Sequence, residues 1–299
     1  MRPRNPRIVN TPFPDSELVL NPDGSIYHLH LKPEHLADTI ILVGDQGRVD
    51  QVSSFFERVD FEVQNREFKT KTGVFNGKRI TVMSTGIGPD NMDIAINELD
   101  AAVNIDLQTR LPKESLKSLN LVRIGTCGSL QEDIPVDSFA ISTFGMGMDG
   151  VLHYYDFEYD EEEQSIQQEI VRQLDWNPAA AEPYLVRSST QLFDTLKEGM
   201  YGGITATAGG FYGPQGRQLR LSAHRPELNE QLNQFNHNGH RIINFEMETA
   251  ALYGLGGMLG HQCCTVCAVI ANRFTKSYSK DYKTTVNKLI ESTLNRLTA

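Results

Sequence analysis

The sequence predicts an α/β fold of three layers, αβα, in which a central mixed β-sheet is flanked by helices. Short apolar runs of strand length alternate along the chain with longer segments whose apolar residues recur at helical spacing. Strands alternating with helices indicate a parallel or mixed sheet that is covered on both faces. The 299 residues contain no internal repeat, low-complexity linker or sharp change of composition, so we expect most of them to form one domain.

The first elements follow from apolar patterns and turn residues. Residues 39–43 (TIILV) predict a strand that ends before Gly44. The inner face of the helical segment that follows comprises Val49, Val52, Ser53 and Phe56. Asn76-Gly77 lies between two strand-like segments, which is the strongest short-range signal for a β-hairpin. A helix is expected from about Asp90, and its inner face comprises Ile94, Leu99 and Val103.

The later elements continue this alternation. The charge run at residues 156–163 (DFEYDEEE) predicts the solvated start of a surface helix that continues through Leu174. Further strands are expected at LNLVRIG, SFAIST, GGITAT and CCTVCAVIA. Further helices are expected near residues 189–198, 246–258 and 281–297.

Composition and charge limit the classes of function. The chain carries 28 Lys and Arg against 38 Asp and Glu, a formal net charge of −10. We expect no nucleic-acid partner, because such a partner needs a basic face. The N-terminal residues lack the apolar segment of a secretory signal, and no run reaches the length of a membrane span. Four cysteines in apolar surroundings lack the spacing of a disulfide framework. These features predict a cytoplasmic protein without a membrane partner.

Several familiar site patterns are absent or incomplete. A G-x-G-x-x-G pattern at Gly145, Gly147 and Gly150 is followed by an acidic segment rather than by the apolar-faced helix of a dinucleotide site. Three histidines between residues 28 and 35 lack the neighbouring ligands that a metal needs, so no metal site is predicted. The chain has no P-loop and no G-x-S-x-G element, which removes the commonest nucleotide triphosphatase and serine hydrolase hypotheses.

Two predicted strand ends carry an arginine beside glycines. Between Gly44 and Arg48 (GDQGR), a turn exposes backbone N–H groups at a predicted helix N-terminus, a geometry that suits an oxyanion. Arg123 lies in an apolar strand, and the small residues up to Gly128 allow a ligand to approach closely. Each arginine alone could be paired with a carboxylate or extend into solvent. The two strand ends together favour a phosphate site.

Two further segments suit a planar ring and a sugar. Residues 211–217 (FYGPQGR) place an aromatic ring, an amide and a guanidinium in one loop, which can stack on a heterocycle and hydrogen-bond its edge. An ordinary turn is the alternative. Residues 244–248 (NFEME) are expected to begin a helix, where Glu246 and Glu248 would suit the helix dipole. One of these carboxylates could instead accept hydrogen bonds from the vicinal hydroxyls of a sugar.

Together these segments resemble the nucleoside phosphorylase family of the trimer-or-hexamer type. The resemblance extends from about His28 to Thr275, with the motifs in the family's order. The motifs are YHLHL, GDQGRV, NREF, STGIG, LVRIGTCG, FYGPQGR, NFEMETA and VIANR. The resemblance implies the nucleoside phosphorylase fold, an N-terminal extension at 1–26 and a single domain at 27–299. It also implies a pentosyltransferase that uses phosphate to cleave an N-glycosidic bond, giving a free base and ribose 1-phosphate.

The resemblance also assigns the residues that bind phosphate and ribose. The phosphate residues would be Gly44, Arg48, Arg123 and Thr126, with Arg66 from a neighbouring subunit. The ribose residues would be Met247 and Glu248, with His28 from a neighbouring subunit. The catalytic residues would be Arg48, Arg123, Thr126 and Glu248. Three guanidiniums around one dianion can donate charge-assisted hydrogen bonds and direct an oxygen toward C1′. Because Arg66 and His28 must cross between subunits, a homo-oligomer, at least a dimer, is implied.

The base would lie against Phe211, Gln215, Arg217 and Arg273. A Gln amide offers donors and an acceptor and an Arg offers donors, which matches the acceptor–donor–acceptor edge of uracil. Asn272 aligns with the acid that protonates the base in the family's purine enzymes, and an amide cannot act as that acid. The expected substrate is therefore uridine or a related pyrimidine nucleoside. The alternatives are a purine nucleoside phosphorylase, a nucleosidase that uses water, or a nucleoside-binding protein without turnover.

The sequence departs from a bacterial subgroup of this family at one ion site. Pro89-Asp90-Asn91 stands where that subgroup has Gly-Pro-Ser, whose Ser helps to bind potassium between subunits. Glu67 is retained, so potassium is kept as an alternative. We expect no cofactor, with inorganic phosphate as the co-substrate. The extension at 1–26 and the acidic run also differ from compact bacterial members, so a dimer is expected and a hexamer is left open.

Overall fold

The computed structural model describes residues 11–299, and the first ten residues of the predicted extension lie outside this part. The strands are β1 (Thr39–Val43), β2 (Arg58–Asn65), β3 (Phe68–Phe75), β4 (Lys78–Ser84), β5 (Ile105–Asp106), β6 (Leu111–Pro112), β7 (Asn120–Ser129), β8 (Phe139–Gly147), β9 (Tyr184–Arg187), β10 (Tyr201–Thr207), β11 (Asn236–His237), β12 (His240–Glu246), β13 (Gln262–Asn272) and β14 (Ser277–Tyr278). The helices are α1 (Gln46–Ser53), α2 (Pro89–Asn104), α3 (Glu161–Gln173), α4 (Thr190–Leu196), α5 (Leu228–Gln234), α6 (Thr249–Met258) and α7 (Tyr282–Thr298).

The alternating side chains of β1 show why the fold has three layers. Ile40 and Leu42 pack into a buried cluster with residues of α2 and α6. Ile41 and Val43 point to the other face, into a cluster with residues of α1, α4 and α7. Successive side chains of a strand face opposite sides of the sheet, so an apolar run without alternation needs helices on both faces. The predicted αβα architecture with a central mixed sheet is confirmed.

The sheet contains two groups of parallel strands that run antiparallel to each other. β4, β1, β7 and β13 are parallel neighbours, and so are β8, β10 and β12. The groups join where β13 pairs antiparallel with β8 and where β12 pairs antiparallel with β7. The second junction closes β7, β12, β10, β8 and β13 into a ring. It pairs Asn244 with Ser129 and Phe245 with Gly128, which brings the end of the arginine strand against the NFEME segment.

The hairpin predicted at Asn76-Gly77 is confirmed. β3 and β4 pair antiparallel, with Phe75 opposite Lys78. Both turn residues have positive φ, 48° and 70°, as a two-residue hairpin loop whose twist matches the strands requires. The register follows from this turn.

The acidic run at residues 156–163 begins its helix later than predicted. The side chain of Asp160 accepts a hydrogen bond from Glu163 N at 2.9 Å, and the Glu163 carboxylate accepts from Asp160 N at 2.9 Å. This reciprocal capping box starts α3 at Glu161. Glu163 is buried rather than solvated, and its carboxylate also accepts from Arg187 N at 3.0 Å. The prediction of a solvated helix start is therefore correct only for part of the run.

Two other predicted helix boundaries are wrong. α1 ends at Ser53, so Phe56 lies beyond it. Residues 244–246 end β12 instead of opening a helix, and α6 begins only at Thr249. The reason is the carboxylate of Glu246, which accepts hydrogen bonds from Glu248 N at 2.8 Å and Thr249 N at 2.9 Å. Glu246 thus caps the helix from the preceding strand.

The G-x-G-x-x-G pattern has a packing role. Gly145 and Gly147 lie within β8, and the chain continues into a short 3₁₀ turn rather than a long helix. A Cβ added at Gly147 would lie 2.0 Å from the ring of Tyr184. The glycines therefore leave room for neighbouring elements of the core.

Part of the predicted extension packs against the rest of the chain. Arg110 donates from Nε to Phe13 O at 2.6 Å and from Nη2 to Pro14 O at 3.0 Å. Leu18 and Ile26 are buried in the same cluster as α2. Among residues 11–299, no helix is long and apolar enough to cross a membrane.

Candidate active site

A cavity of about 300 Å³ lies where the carboxyl ends of the two strand groups meet. Its position follows the general preference of α/β sheets to bind ligands beyond the strand carboxyl ends. The predicted site residues that line it are Gly44, Arg48, Arg123, Thr126, Phe211, Gln215, Arg217, Met247 and Glu248. Segments that are far apart in the sequence therefore meet in one site.

The turn at Gly44, which is predicted to bind phosphate, adjoins the N-terminus of α1. Asp45 caps this helix, because its carboxylate accepts from Arg48 N at 2.9 Å. The Arg48 side chain is mostly buried, and its guanidinium lies 3.4 Å from the Asp45 carboxylate. Burial lowers the pKa of Arg48, and the charge of Asp45 opposes this shift. Arg48 is thus a mostly buried cation at the cavity, and its one carboxylate partner among the described residues is exposed. Such a cation suits an anionic ligand.

Arg123 holds the centre of the site from within β7. Its Nη2 donates to the Glu248 carboxylate, and its Nη1 lies 3.4 Å from Glu246 Oε2. Burial alone would lower the pKa of Arg123. The charges of Glu248 and Glu246 outweigh this effect, so the pKa lies above its usual value. A Cβ at Gly125 would lie 2.0 Å from Arg123 Nη1, so glycine is what lets the guanidinium fold back over its strand. Among the described residues, Arg123 Nε has no hydrogen-bond partner.

The two carboxylates of the NFEME segment have different surroundings. Glu246 caps α6 and also accepts from Thr207 Oγ1 at 2.6 Å. Glu248 accepts from Gly88 N at 2.9 Å and from Arg123. Burial raises the pKa of Glu248, and the charge of Arg123 opposes that rise. Both residues line the cavity, but Glu246 already serves three structural donors, so Glu248 is the better acceptor for a ligand.

In the loop after β10, Gln215 and Arg217 contact each other at the cavity. Arg217 Nη1 donates to Gln215 Oε1 at 2.5 Å and to Phe211 O at 2.7 Å. Its guanidinium carbon lies 3.7 Å from the centroid of the Phe211 ring. Since Oε1 of Gln215 faces Arg217, the amide Nε2 remains to donate to a ligand. Burial, followed by the nearby charge of Arg273, lowers the pKa of Arg217 to about 10.

Arg273 is not among the residues that line the cavity. Its Nη2 donates to Gln215 O at 3.1 Å, so it holds the backbone of the loop that carries Gln215. Asn272 is buried and also turned away from the cavity. The Asn272 amide is fully used, as the distances to its four backbone partners show. It donates to Gln131 O (2.8 Å) and Ile134 O (2.9 Å) and accepts from Phe274 N and Thr275 N (both 2.9 Å).

His28 and Arg66 lie outside the cavity of their own chain. The Arg66 side chain is exposed, and its guanidinium carbon lies 5.9 Å from the Tyr27 ring centroid. His28 is partly exposed and contacts Glu98 of α2. This placement is compatible with their predicted contribution to a neighbouring subunit.

Several residues of the cavity are not among the site residues that the family resemblance assigns. These residues are Asp45, Ile87, Cys127, Gly128, Phe245, Glu246, Ile270, Ala271 and Tyr278. Tyr278 reaches the cavity because β14 pairs with the end of β13, which puts it opposite Ala271. No local pattern marks that pairing, whereas the small residues after Arg123 did mark Gly128. Within the described residues, no group of three His, Cys, Asp or Glu side chains is arranged to hold a metal.

The cavity combines buried guanidiniums, a carboxylate and a loop suited to a planar ring. On this sheet, that combination is typical of the nucleoside phosphorylase type of site. The family model of the phosphorylase superfamily matches residues 38–298, so the chain belongs to this superfamily. The predicted family resemblance is thereby confirmed.

Relatives within the superfamily include enzymes for both classes of base. The chain is 30% identical to a uridine phosphorylase of Thermococcus kodakarensis, over 90% of this chain and 85% of the relative. It is 27% identical to a DeoD-type purine nucleoside phosphorylase of Bacillus thuringiensis, over 90% of this chain and 97% of the relative. A crystal structure of a Trypanosoma brucei nucleoside phosphorylase with uridine phosphorylase activity matches with a TM-score of 0.85 and 28% identity, covering 94% of this chain and 99% of that chain.

Proposed function

We propose that this protein catalyses the phosphorolysis of uridine to uracil and ribose 1-phosphate. The observation that carries the proposal is one cavity with two chemically distinct parts: the guanidiniums of Arg48 and Arg123, and the Gln215–Arg217 pair. The relatives named uridine phosphorylase support the same substrate.

The phosphate dianion would bind between the turn after β1 and the end of β7. Arg48 and Arg123 donate charge-assisted hydrogen bonds, and the backbone at Gly44 and the hydroxyl of Thr126 complete the set on this chain. Arg66 of a neighbouring subunit supplies the third guanidinium. Arg123, which contacts Glu248 in the free site, would thus also bind the phosphate nucleophile. Phosphate would therefore bind beside the carboxylate that holds the sugar.

The ribose would lie against Met247 and Glu248, with His28 of a neighbouring subunit at the 5′-hydroxyl. Glu248 accepts from the 2′- and 3′-hydroxyls while Gly88 N keeps its other oxygen fixed. As the glycosidic bond lengthens, positive charge develops on the ribose ring. The carboxylate and the bound phosphate stabilise this charge, and phosphate then attacks C1′. The bond from phosphate to C1′ forms as the bond from C1′ to the base nitrogen breaks, without a covalent enzyme intermediate.

The leaving uracil would be recognised along its imide edge. Gln215 Nε2 donates to one carbonyl, Gln215 Oε1 accepts from the ring N–H, and Arg217 donates to the second carbonyl. Phe211 borders the base, and Arg273 holds the backbone of the loop that carries Gln215. The electron pair of the broken bond passes to the base, where the cation of Arg217 stabilises it. The proton that hydrogen phosphate loses on bonding to C1′ neutralises the departing base as uracil.

The proposal extends to location, assembly and domain organisation. We propose a cytoplasmic homo-oligomer, at least a dimer, that acts in pyrimidine salvage, with residues 27–299 as one catalytic domain after the extension. Phosphate serves as co-substrate, and the mechanism requires no cofactor and no resident metal.

The test is to incubate the protein with uridine and follow uracil release with and without inorganic phosphate. We expect release that depends on phosphate, and little cleavage of inosine in a parallel reaction. Phosphate-dependent cleavage of inosine with none of uridine would overturn the pyrimidine assignment. Release of uracil at an equal rate without phosphate would identify a nucleosidase instead.

A further inference from the structure

Glu98 of α2 makes a dense set of contacts with the segment that carries His28. Its Oε1 lies 2.5 Å from His28 Nδ1, and its two oxygens accept from His28 N at 3.2 and 3.0 Å. Oε2 also accepts from Leu29 N at 2.9 Å. No Lys or Arg pairs with this carboxylate among the described residues, and its side chain is only 17% exposed. This largely buried carboxylate contacts the His28 ring and the backbone N–H groups of His28 and Leu29, and it thereby fixes the orientation of the histidine.

The contact also determines which ring nitrogen of His28 can meet a ligand. A carboxylate only accepts hydrogen bonds, so the hydrogen must lie on Nδ1. Nε2 then points away from Glu98, and it has no hydrogen-bond partner among residues 11–299. In the neutral ring, Nε2 is an acceptor, which suits a hydroxyl group.

The same segment is tied to the turn that carries Arg66. Asn65 Nδ2 donates to His28 O at 2.8 Å, and Gln46 Nε2 donates to Arg66 O at 2.5 Å. The backbone of Arg66 is left-handed, with φ of 52°, which directs its side chain out of the β2–β3 turn toward Tyr27. The two residues expected to cross between subunits therefore lie on one connected surface.

We propose that Glu98 is a positioning residue that orients His28 toward the ribose 5′-hydroxyl in the site of a neighbouring subunit. This inference rests on the proposed function and on the exchange of His28 between subunits. α2 then serves two sites: Gly88 at its N-terminus holds Glu248 of its own site, and Glu98 lies ten residues later, about 15 Å along the helix axis. One rigid helix thus aligns a ribose carboxylate and the histidine that completes the next site.

The simplest alternative is that Glu98 only clamps the chain near residue 28. The substrate 5′-deoxyuridine separates the two roles, because it lacks the hydroxyl that His28 would contact. A positioning role loses its effect with this substrate, whereas a purely structural role affects both substrates equally.

The experiment compares kcat and KM of Glu98→Gln with those of the parent for both substrates. The amide is isosteric but cannot accept from the ring and both backbone N–H groups. We expect kcat/KM for uridine to fall about tenfold, mainly through KM, as the loss of about one charged hydrogen bond implies. For 5′-deoxyuridine we expect less than about a twofold change, and the KM of phosphate stays unchanged. Asp93→Asn, which alters another carboxylate on the same helix, serves as the matched control.

A second variant, His28→Ala, gives an independent readout of the same contact. His28→Ala should reduce activity on uridine and spare 5′-deoxyuridine, and adding Glu98→Gln to it should cause no further loss on uridine. Equal losses on both substrates, or an additive loss in the double variant, would refute the positioning role. If the parent protein releases no uracil at all, the proposed function fails instead, so the two failures are distinct.

Discussion

Replacing Asn272 by aspartate should destabilise the protein without creating a purine phosphorylase. The family resemblance aligns Asn272 with the acid expected in the purine enzymes, so Asn272→Asp is the obvious substitution for changing base preference. In this structure the amide faces the protein interior. Both of its hydrogens go to backbone carbonyls, those of Gln131 and Ile134. An ionised carboxylate has no hydrogen to donate.

The cost can be worked out from these bonds. The two oxygens of aspartate can still accept from Phe274 N and Thr275 N. Two buried carbonyls lose their donors, and each unsatisfied buried group costs about 1–3 kcal/mol, so we expect a loss of about 2–6 kcal/mol. That is a large part of the total of about 5–15 kcal/mol that keeps a typical protein folded.

Urea denaturation at pH 7, with Asn238→Asp as an exposed control, measures the free energy of unfolding. We expect the unfolding midpoint of Asn272→Asp to fall sharply and that of the control to stay near the parent value. Inosine and uridine are then assayed with phosphate. An Asn272→Asp protein as stable as the parent, with new activity on inosine, would show that residue 272 faces the base and would refute this reasoning.

Other substitutions test the two parts of the cavity. Arg123→Lys keeps a cation but loses the planar fork, so phosphorolysis should fall about 100-fold in kcat with an unchanged circular dichroism spectrum. Arg123→Ala should also destabilise the fold by about 3–5 kcal/mol, because it leaves Glu246 and Glu248 buried without their cation; an equally stable protein in a melting experiment would contradict this. Gln215→Ala should raise the KM of uridine about tenfold and leave the KM of phosphate unchanged in initial-rate measurements.

The features that could be predicted from the sequence are those with local signals. β1 and the hairpin at Asn76-Gly77 are specified by apolar runs and by turn residues a few positions apart. The turns at Gly44 and after Arg123 could be identified as phosphate-binding candidates because small residues and an arginine adjoin a strand end. The alternating helices and strands then determine the layered fold.

The features that could not be predicted depend on contacts between distant segments. Glu246 and Glu248 look equivalent in the sequence. Only their contacts in the folded chain make Glu246 a helix cap and leave Glu248 beside Gly88 N as a cavity acceptor. The two carbonyls that accept hydrogen bonds from Asn272 lie about 140 positions earlier in the chain. Tyr278 enters the cavity through a two-residue strand pairing. None of these contacts leaves a periodic pattern in the sequence.

The central claim is that one cavity joins phosphate to the ribose of a pyrimidine nucleoside. Its most direct test is phosphorus-31 NMR of a reaction containing the protein, uridine and inorganic phosphate, with uracil measured in the same sample. The mechanism predicts that ribose 1-phosphate forms in a 1:1 ratio with uracil as phosphate is consumed. Uracil accompanied by free ribose and unchanged phosphate, or bound uridine without any product, would contradict it.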